Sequence, residues 1–139
     1  MKPDMKIIET LAPHHLPQLH QLYLQQWWSN TRTLEEVNAV LAGSSITLGV
    51  IDEQNNLIGF TRVLTDGIFK ALMFDVIVGE GYRGHKIGSQ LVEYVKAHAK
   101  VKRVKHIELY CLPELQSYYQ QFGFVTDVGG MQLMRLTMR

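Results

Sequence analysis

Cysteine, charge of one sign and long apolar runs are all scarce in this chain of 139 residues, and each scarcity removes a class of protein. Cys111 is the one cysteine, so no intramolecular disulfide framework exists and a reducing cytoplasm suits the chain. The net charge is +1, which argues against nucleic acid as the default partner. No apolar run approaches the ~20 residues of a membrane span. The segment Met1-Lys2-Pro3-Asp4-Met5-Lys6 lacks the apolar stretch of a signal peptide. No repeat or low-complexity segment appears. What remains is an ordinary globular composition, 46% hydrophobic and 19% charged, that predicts one domain over residues 1–139 with a real core.

Periodicity orders the elements. Lys6 to Glu9 reads as a short strand. Leu16, Leu19, His20, Tyr23, Leu24 and Trp27 recur at helical spacing between Pro13 and Trp28. Thr33-Leu34-Glu35-Glu36 has the capping-box form and opens a second helix through Leu41. Ser45–Asp52, Leu57–Leu64 and Phe69–Val78 read as three strands of an antiparallel meander. Ile87, Leu91, Val92, Val95 and Ala99 mark a helix to Lys100. A strand from His106 to Cys111, a helix opened by Pro113, and closing strands Phe124–Val128 and Met131–Met138 around Gly129-Gly130 complete the order. The expectation is an α/β (α+β) domain whose mixed, mainly antiparallel sheet has six to seven strands flanked by about four helices.

Chemistry concentrates where the third strand ends. Val76-Ile77-Val78-Gly79-Glu80-Gly81-Tyr82-Arg83-Gly84-His85-Lys86-Ile87-Gly88-Ser89 runs from an apolar strand through a basic, Gly-rich turn into a helix. Backbone N–H groups at such a helix N-terminus make a seat for phosphate oxygens. The spacing fits neither a G-x-G-x-x-G dinucleotide fingerprint nor a Walker A loop. Arg83-Gly84-His85-Lys86-Ile87-Gly88 instead resembles the pyrophosphate signature Arg/Gln-x-x-Gly-x-Gly/Ala of the GNAT superfamily of acyl-CoA-dependent N-acetyltransferases. Lys86 stands where the middle glycine is usual. Tyr118-Tyr119-Gln120-Gln121-Phe122-Gly123-Phe124 resembles that superfamily's Phe-Tyr-x-x-x-Gly-Phe segment. The two motifs are co-linear, and the resemblance covers the chain from about Leu57 onward.

The resemblance implies direct transfer of an acetyl group from acetyl-CoA to an amine, with a small-molecule acceptor and no metal. It places the pyrophosphate against Arg83, Gly84, His85, Lys86, Ile87, Gly88 and Ser89. The pantetheine arm would lie along the backbone of Val76, Ile77 and Val78, where an N–H polarises the thioester carbonyl. Tyr119 takes the general-acid position that protonates the departing thiolate, with Tyr118 its competitor. Many relatives dimerise, which leaves a homodimer open.

Other residues are read directly. Alternation from Val78 puts Val76, Phe74 and Leu72 on the face toward the acetyl group, and all are apolar. Asp75 then points the other way and anchors neighbouring groups, so no base is assigned. Trp27, Trp28 and Arg32 between the first two helices, with Arg62 and Asp66 on the meander, form the candidate acceptor pocket for a planar or acidic group or an amine. The competing readings are core packing for the tryptophans and turn geometry for Asp66. His14-His15 lacks a second ligand pair for a metal. Lys96, Lys100, Lys102, Arg103 and Lys105 gather around a helix C-terminus, where cations are favoured. The rival function is a non-catalytic acyl-CoA-binding or sensing domain on the same fold. An interaction module that has lost the cofactor is a third.

Overall fold

A computed structural model gives the fold, and the structure describes residues 2–139. The chain packs as two units, one ending at Leu109 and one running from Tyr110 to Arg139. In the first unit, β1 (Lys6–Ile8) leads to the helices α1 (His15–Leu24) and α2 (Leu34–Gly43). β2 (Ile46–Ile51), β3 (Leu57–Thr65) and β4 (Lys70–Val78) follow, then helix α3 (Ile87–Ala97) and β5 (His106–Glu108). The strands lie in the order β1-β2-β3-β4-β5. All neighbours are antiparallel except β5, which runs parallel to β4 after the α3 crossover.

Side-chain chemistry sets the helix ends. At α2 the capping box forms as its sequence predicts: Thr33 Oγ1 accepts the Glu36 N–H at 3.1 Å, and Glu36 Oε1 accepts the Thr33 N–H at 3.0 Å. The start of α1 is held by His15, which is buried. Its Nδ1 accepts the Ala12 N–H at 2.9 Å, so Nε2 carries the proton and donates to the Asn55 carbonyl at 3.0 Å. His15 thus ties α1 to the β2–β3 turn.

Two helical elements are shorter than their periodicity suggests. α1 stops at Leu24 rather than near Trp28, and the chain turns back to reach Thr33. α3 stops at Ala97 because His98 adopts extended backbone, φ −64° and ψ 139°. The His98 ring holds that break, with Nε2 2.6 Å from Glu9 Oε1 and Nδ1 accepting the Lys100 N–H at 3.1 Å.

The sheet is covered on both faces. Phe60 points to the α1 side, where its ring lies 6.1 Å from that of Tyr23. It belongs to a buried cluster with Leu19, Leu22, Val37, Ile51, Leu57 and Ile77. Gly59, one residue earlier, faces α3. A Cβ there would come within 2.9 Å of Ile87 Cγ2, so its missing side chain is what lets the first residue of α3 seat on the sheet.

In the second unit, a 3-10 turn (Pro113–Leu115) leads into the short helix α4 (Gln116–Gln120). Phe124–Val128 and Met131–Met138 are irregular, so the sheet has five strands rather than six or seven. Gly129 and Gly130 do form their turn, both at positive φ, and the Gly129 N–H donates to Asp127 Oδ1 at 3.2 Å. The segments beside it lack the ladder that would make them strands. Apolar composition suits an extended chain but does not supply the backbone partner that a strand needs. Among the described residues, no helix is long and apolar enough to cross a membrane.

Candidate functional site

The end of β4 is where the first unit departs from regular geometry. β5 pairs with β4 only at Lys70, Ala71 and Leu72. From Met73 onward β4 ladders with β3 alone, and among the described residues no strand pairs with its other edge along the segment that ends at Val78. Within that segment the ladder slips: Arg62 pairs with Phe74 and Phe60 with Ile77, so Thr61 faces both Asp75 and Val76. This is a β-bulge. Asp75 sits in the left-handed region at φ 58°, and Thr61 Oγ1 pins the bulge by donating to the Phe74 carbonyl at 2.9 Å. The bulge resets the alternation. Phe74 shares the α1 face with Ile77, so the simple alternation Val78-Val76-Phe74-Leu72 does not hold.

The turn beyond β4 is built for close approach. Gly79 N–H donates to the Ile58 carbonyl at 2.8 Å, and a 3-10 turn (Glu80–Tyr82) follows. Gly84 has φ 87°, and Lys86 has φ 62° and ψ 24° as the N-cap of α3. A left-handed residue there aims the leading N–H groups of α3, at Ile87 and Gly88, out of the helix end, where no intrahelical carbonyl can take them. Arg83 and Lys86 are exposed and His85 is half-buried. None of these three makes an ion pair among the described residues. The turn therefore offers backbone donors, a helix dipole and uncommitted positive charge together.

On the α1 side of the bulge, one carboxylate oxygen gathers three donors. Asp75 Oδ2 accepts from Arg62 Nε at 2.7 Å, Tyr23 Oη at 2.8 Å and Arg32 Nη1 at 3.0 Å. The Asp75 side chain is 7% exposed. Burial opposes its charge, but Arg62, Tyr23 and Arg32 together outweigh that cost and hold the carboxyl below its usual range. The same burial, with the Asp75 charge beside it, raises the Tyr23 phenol well above its ordinary value. Asp75 is thus an anchor and a poor proton acceptor, placed by the bulge rather than by simple alternation. Arg32 is brought in by its loop: Ser29 Oγ donates to the Tyr23 carbonyl at 2.8 Å, and His20 Nε2 donates to the Arg32 carbonyl at 2.8 Å. Its guanidinium carbon then lies 4.6 Å from the Tyr23 ring centre and 5.5 Å from that of Trp28.

Residues 44–126 match the model of the acetyltransferase (GNAT) domain. The chain belongs to the GNAT family. An uncharacterized N-acetyltransferase, ycf52, of Gracilaria tenuistipitata var. liui is 29% identical over 106 residues, 74% of this chain and 58% of that protein. This chain therefore spans little more than half of that relative's length. A GNAT-family protein from Xanthomonas campestris pv. campestris superposes with a TM-score of 0.82 at 20% identity, covering 97% of this chain and 94% of the other. An aminoglycoside 6'-N-acetyltransferase, solved in complex with coenzyme A, superposes with a TM-score of 0.65 at 25% identity, covering 75% and 60%.

As a GNAT domain, the chain distributes its candidate residues unevenly. Val76, Ile77 and Val78 lie on the open-edged part of β4, and Arg83 to Ser89 make the turn and first turn of α3. Trp28, Arg32 and Arg62 converge at the Asp75 cluster. Trp27 does not join them and is 71% exposed. Asp66 lies at the far end of β4, about 26 Å from Val78 by strand rise. Its Oδ1 accepts the N–H groups of Ile68, Phe69 and Lys70, at 2.8, 2.7 and 3.2 Å, which is turn geometry. Beside it lies an open groove of about 330 Å³ whose lining includes Lys100 and Arg103.

In the second unit, Tyr119 packs its ring 5.1 Å from Tyr118 and 6.0 Å from Phe124. Burial, with smaller contributions from Tyr118 and Cys111, pushes its phenol up to about 12. It therefore keeps its proton at neutral pH. The Tyr23 contribution to the cluster is absent from the sequence reading, which treats Tyr23 as one apolar position of a helix stripe. A phenol among leucines on a buried stripe is the available signal, since a buried Tyr O–H needs a partner.

Proposed function

We propose that this chain is an N-acetyltransferase that moves the acetyl group of acetyl-CoA directly to an amine. One observation carries the reading: a GNAT domain whose β4 loses its β5 neighbour at Leu72 and runs into a turn with left-handed residues at Gly84 and Lys86. The turn fits a pyrophosphate. Gly84 has no heavy atom within 4 Å of where a Cβ would stand, so phosphate oxygens can approach the backbone. Arg83, His85 and Lys86 add charge-assisted contacts, and the N–H groups of Ile87, Gly88 and Ser89 face the helix end. The open edge of β4 at Val76 to Val78 presents backbone groups to an extended pantetheine chain, as an added strand would be held.

In this reading acetyl-CoA supplies the activated acetyl group. A backbone N–H near Val76 to Val78 polarises the thioester carbonyl, which is oxyanion-hole chemistry. A neutral amine attacks the carbonyl carbon; the C–N bond forms, the C–S bond breaks, and the departing sulfur takes a proton, the donor role that the motif resemblance gives to Tyr119. The nitrogen's surplus proton leaves to water, and the phenolate is reprotonated from solvent. Because Asp75 is held ionised by the three donors on its Oδ2, it does not take that proton. The acceptor enters as the free-amine fraction. A cytoplasmic location and a small-molecule acceptor belong to the same proposal.

Tyr119→Phe tests the mechanism. Turnover is expected to fall about 10²- to 10⁴-fold, as for loss of a general acid, while acetyl-CoA affinity changes little. Equal turnover in the variant removes the role from Tyr119. Acetyl-CoA that raises the melting temperature without CoA release, across a broad amine panel, establishes the non-catalytic binding reading instead.

A further inference from the structure

The Asp75 cluster holds more positive charge than it neutralises. Two guanidiniums, Arg32 and Arg62, share one carboxylate oxygen, and no other carboxylate lies within ion-pair distance of either among the described residues. Each arginine spends one N–H on Asp75. The other guanidinium nitrogens make no hydrogen bond among the described residues, yet no buried side-chain nitrogen is left without a partner. Those nitrogens therefore reach solvent. Arg32 is 28% exposed and lies beside Trp28, which is itself 39% exposed. The arrangement is a pair of anchored guanidiniums with an aromatic wall. Its orientation is set by the Tyr23 ring beneath Arg32 and the Phe74 ring under Arg62, 4.8 Å from the guanidinium carbon.

We propose that Arg32 and Arg62 bind a carboxylate of the acceptor, so that the substrate is an amine carrying an acid group. The inference rests on the N-acetyltransferase reading. Three features select this ligand. The cluster carries one uncompensated positive charge, which matches a carboxylate rather than a phosphate near dianionic charge. Guanidinium N–H groups match the geometry of a carboxylate's two oxygens. Asp75 is chain neighbour to Val76, and about 10 Å of strand separates it from Val78. An acid anchored at the arginines therefore puts an amine a few bonds away near the open-edged part of β4. Asp75 is the positioning residue here. It fixes both guanidiniums without cancelling them.

The experiment compares matched amines with the whole chain and acetyl-CoA, following CoA release: tyrosine against tyramine, phenylalanine against phenethylamine, and phosphoethanolamine as the phosphate arm. The carboxylated member is expected to have the higher kcat/KM, by about 10- to 100-fold, as one or two hydrogen bonds to a charged group supply. In Arg32→Gln that ratio collapses at least tenfold, mainly through KM; in Arg32→Lys it falls less. Folding of each variant is checked by its melting temperature, and Arg62→Gln repeats the comparison if Arg32→Gln fails to fold. A calorimetric titration of tyrosine into the protein with CoA gives a readout independent of turnover, and binding that Arg32→Gln abolishes is the expected result. Turnover of tyramine with no preference for tyrosine overturns the acid recognition while keeping the acetyltransferase. Preference for phosphoethanolamine overturns the carboxylate. Tyrosine binding without CoA release from any amine keeps the recognition and overturns the acetyltransferase. Absence of both binding and preference overturns the proposal outright.

Discussion

Replacing Lys86 with glycine is expected to move two measurements in opposite directions. Lys86 holds φ 62° at the head of α3, a conformation that costs an L-residue roughly 1–2 kcal/mol. Glycine adopts it freely but gives up about 0.5–1 kcal/mol more chain entropy on folding. The net is a stabilisation of about 0.5–1 kcal/mol, or roughly 2–4 °C in melting temperature for a domain of this size. The same change removes an exposed ammonium from the proposed pyrophosphate seat. At ~4 Å in a water-like dielectric that contact contributes about 1 kcal/mol, so acetyl-CoA affinity should fall about fivefold. Denaturant unfolding of the ligand-free protein gives the first quantity and calorimetric titration the second. Lys86→Ala separates the causes, since it loses the charge but keeps the strained backbone: affinity drops with no gain in stability. In 1 M salt the affinity difference should shrink, because screening shortens to ~3 Å. A ligand-free Lys86→Gly protein less stable than the parent, or one with unchanged affinity, refutes the account of this residue.

Three further outcomes follow from the packing. Asp75→Asn leaves two guanidiniums over a neutral amide and is expected to cost about 3 kcal/mol, the lower end for breaking a buried ion pair; a cost under 1 kcal/mol in denaturant unfolding would show the pair to be dispensable. The sign with pH is fixed as well. Asp75 has a lowered folded-state value, so its contribution is complete above about pH 4, the unfolded carboxylate range, and is lost as pH falls through the folded value. The parent should therefore lose stability more steeply than Asp75→Asn in acid titrations. Gly59→Ala puts a methyl 2.9 Å from Ile87 Cγ2, which should cost about 1–3 kcal/mol by overpacking and weaken acetyl-CoA binding, because α3 moves with its first residue. A variant of parental stability and affinity would show that α3 does not depend on that approach.

The sequence carries the order of elements well wherever local chemistry decides it. Thr33 and Glu36 make their capping box, Asp66 makes its turn, and the Gly-rich run lies between β4 and α3 as its composition demands. Lys86 in the left-handed region also accounts for the glycine usual at that position. What the sequence does not carry is pairing. The bulge at Asp75 arises because Thr61 meets two residues of β4, and no local pattern in Phe74-Asp75-Val76 announces a slip in a ladder made with a distant strand. Arg32, Arg62 and Tyr23 meet through that slip, so their common partner is visible only in three dimensions. The closing strands fail for the same reason: Met131 to Met138 is rich in apolar residues, but composition supplies no hydrogen-bonding neighbour.

β4 is bordered by β3 along its length but by β5 only as far as Leu72, which leaves six of its nine residues, Met73 to Val78, with one strand neighbour instead of two. A sheet edge of that kind accepts any extended chain, including another polypeptide. On the proposed reading, an occupant of the gap completes the sheet as well as entering the reaction. At a hundred times its dissociation constant it would add about 2.7 kcal/mol to stability. Saturation with coenzyme A should therefore suppress aggregation as well as raise the melting temperature, and the ligand-free protein should be the form most prone to self-association.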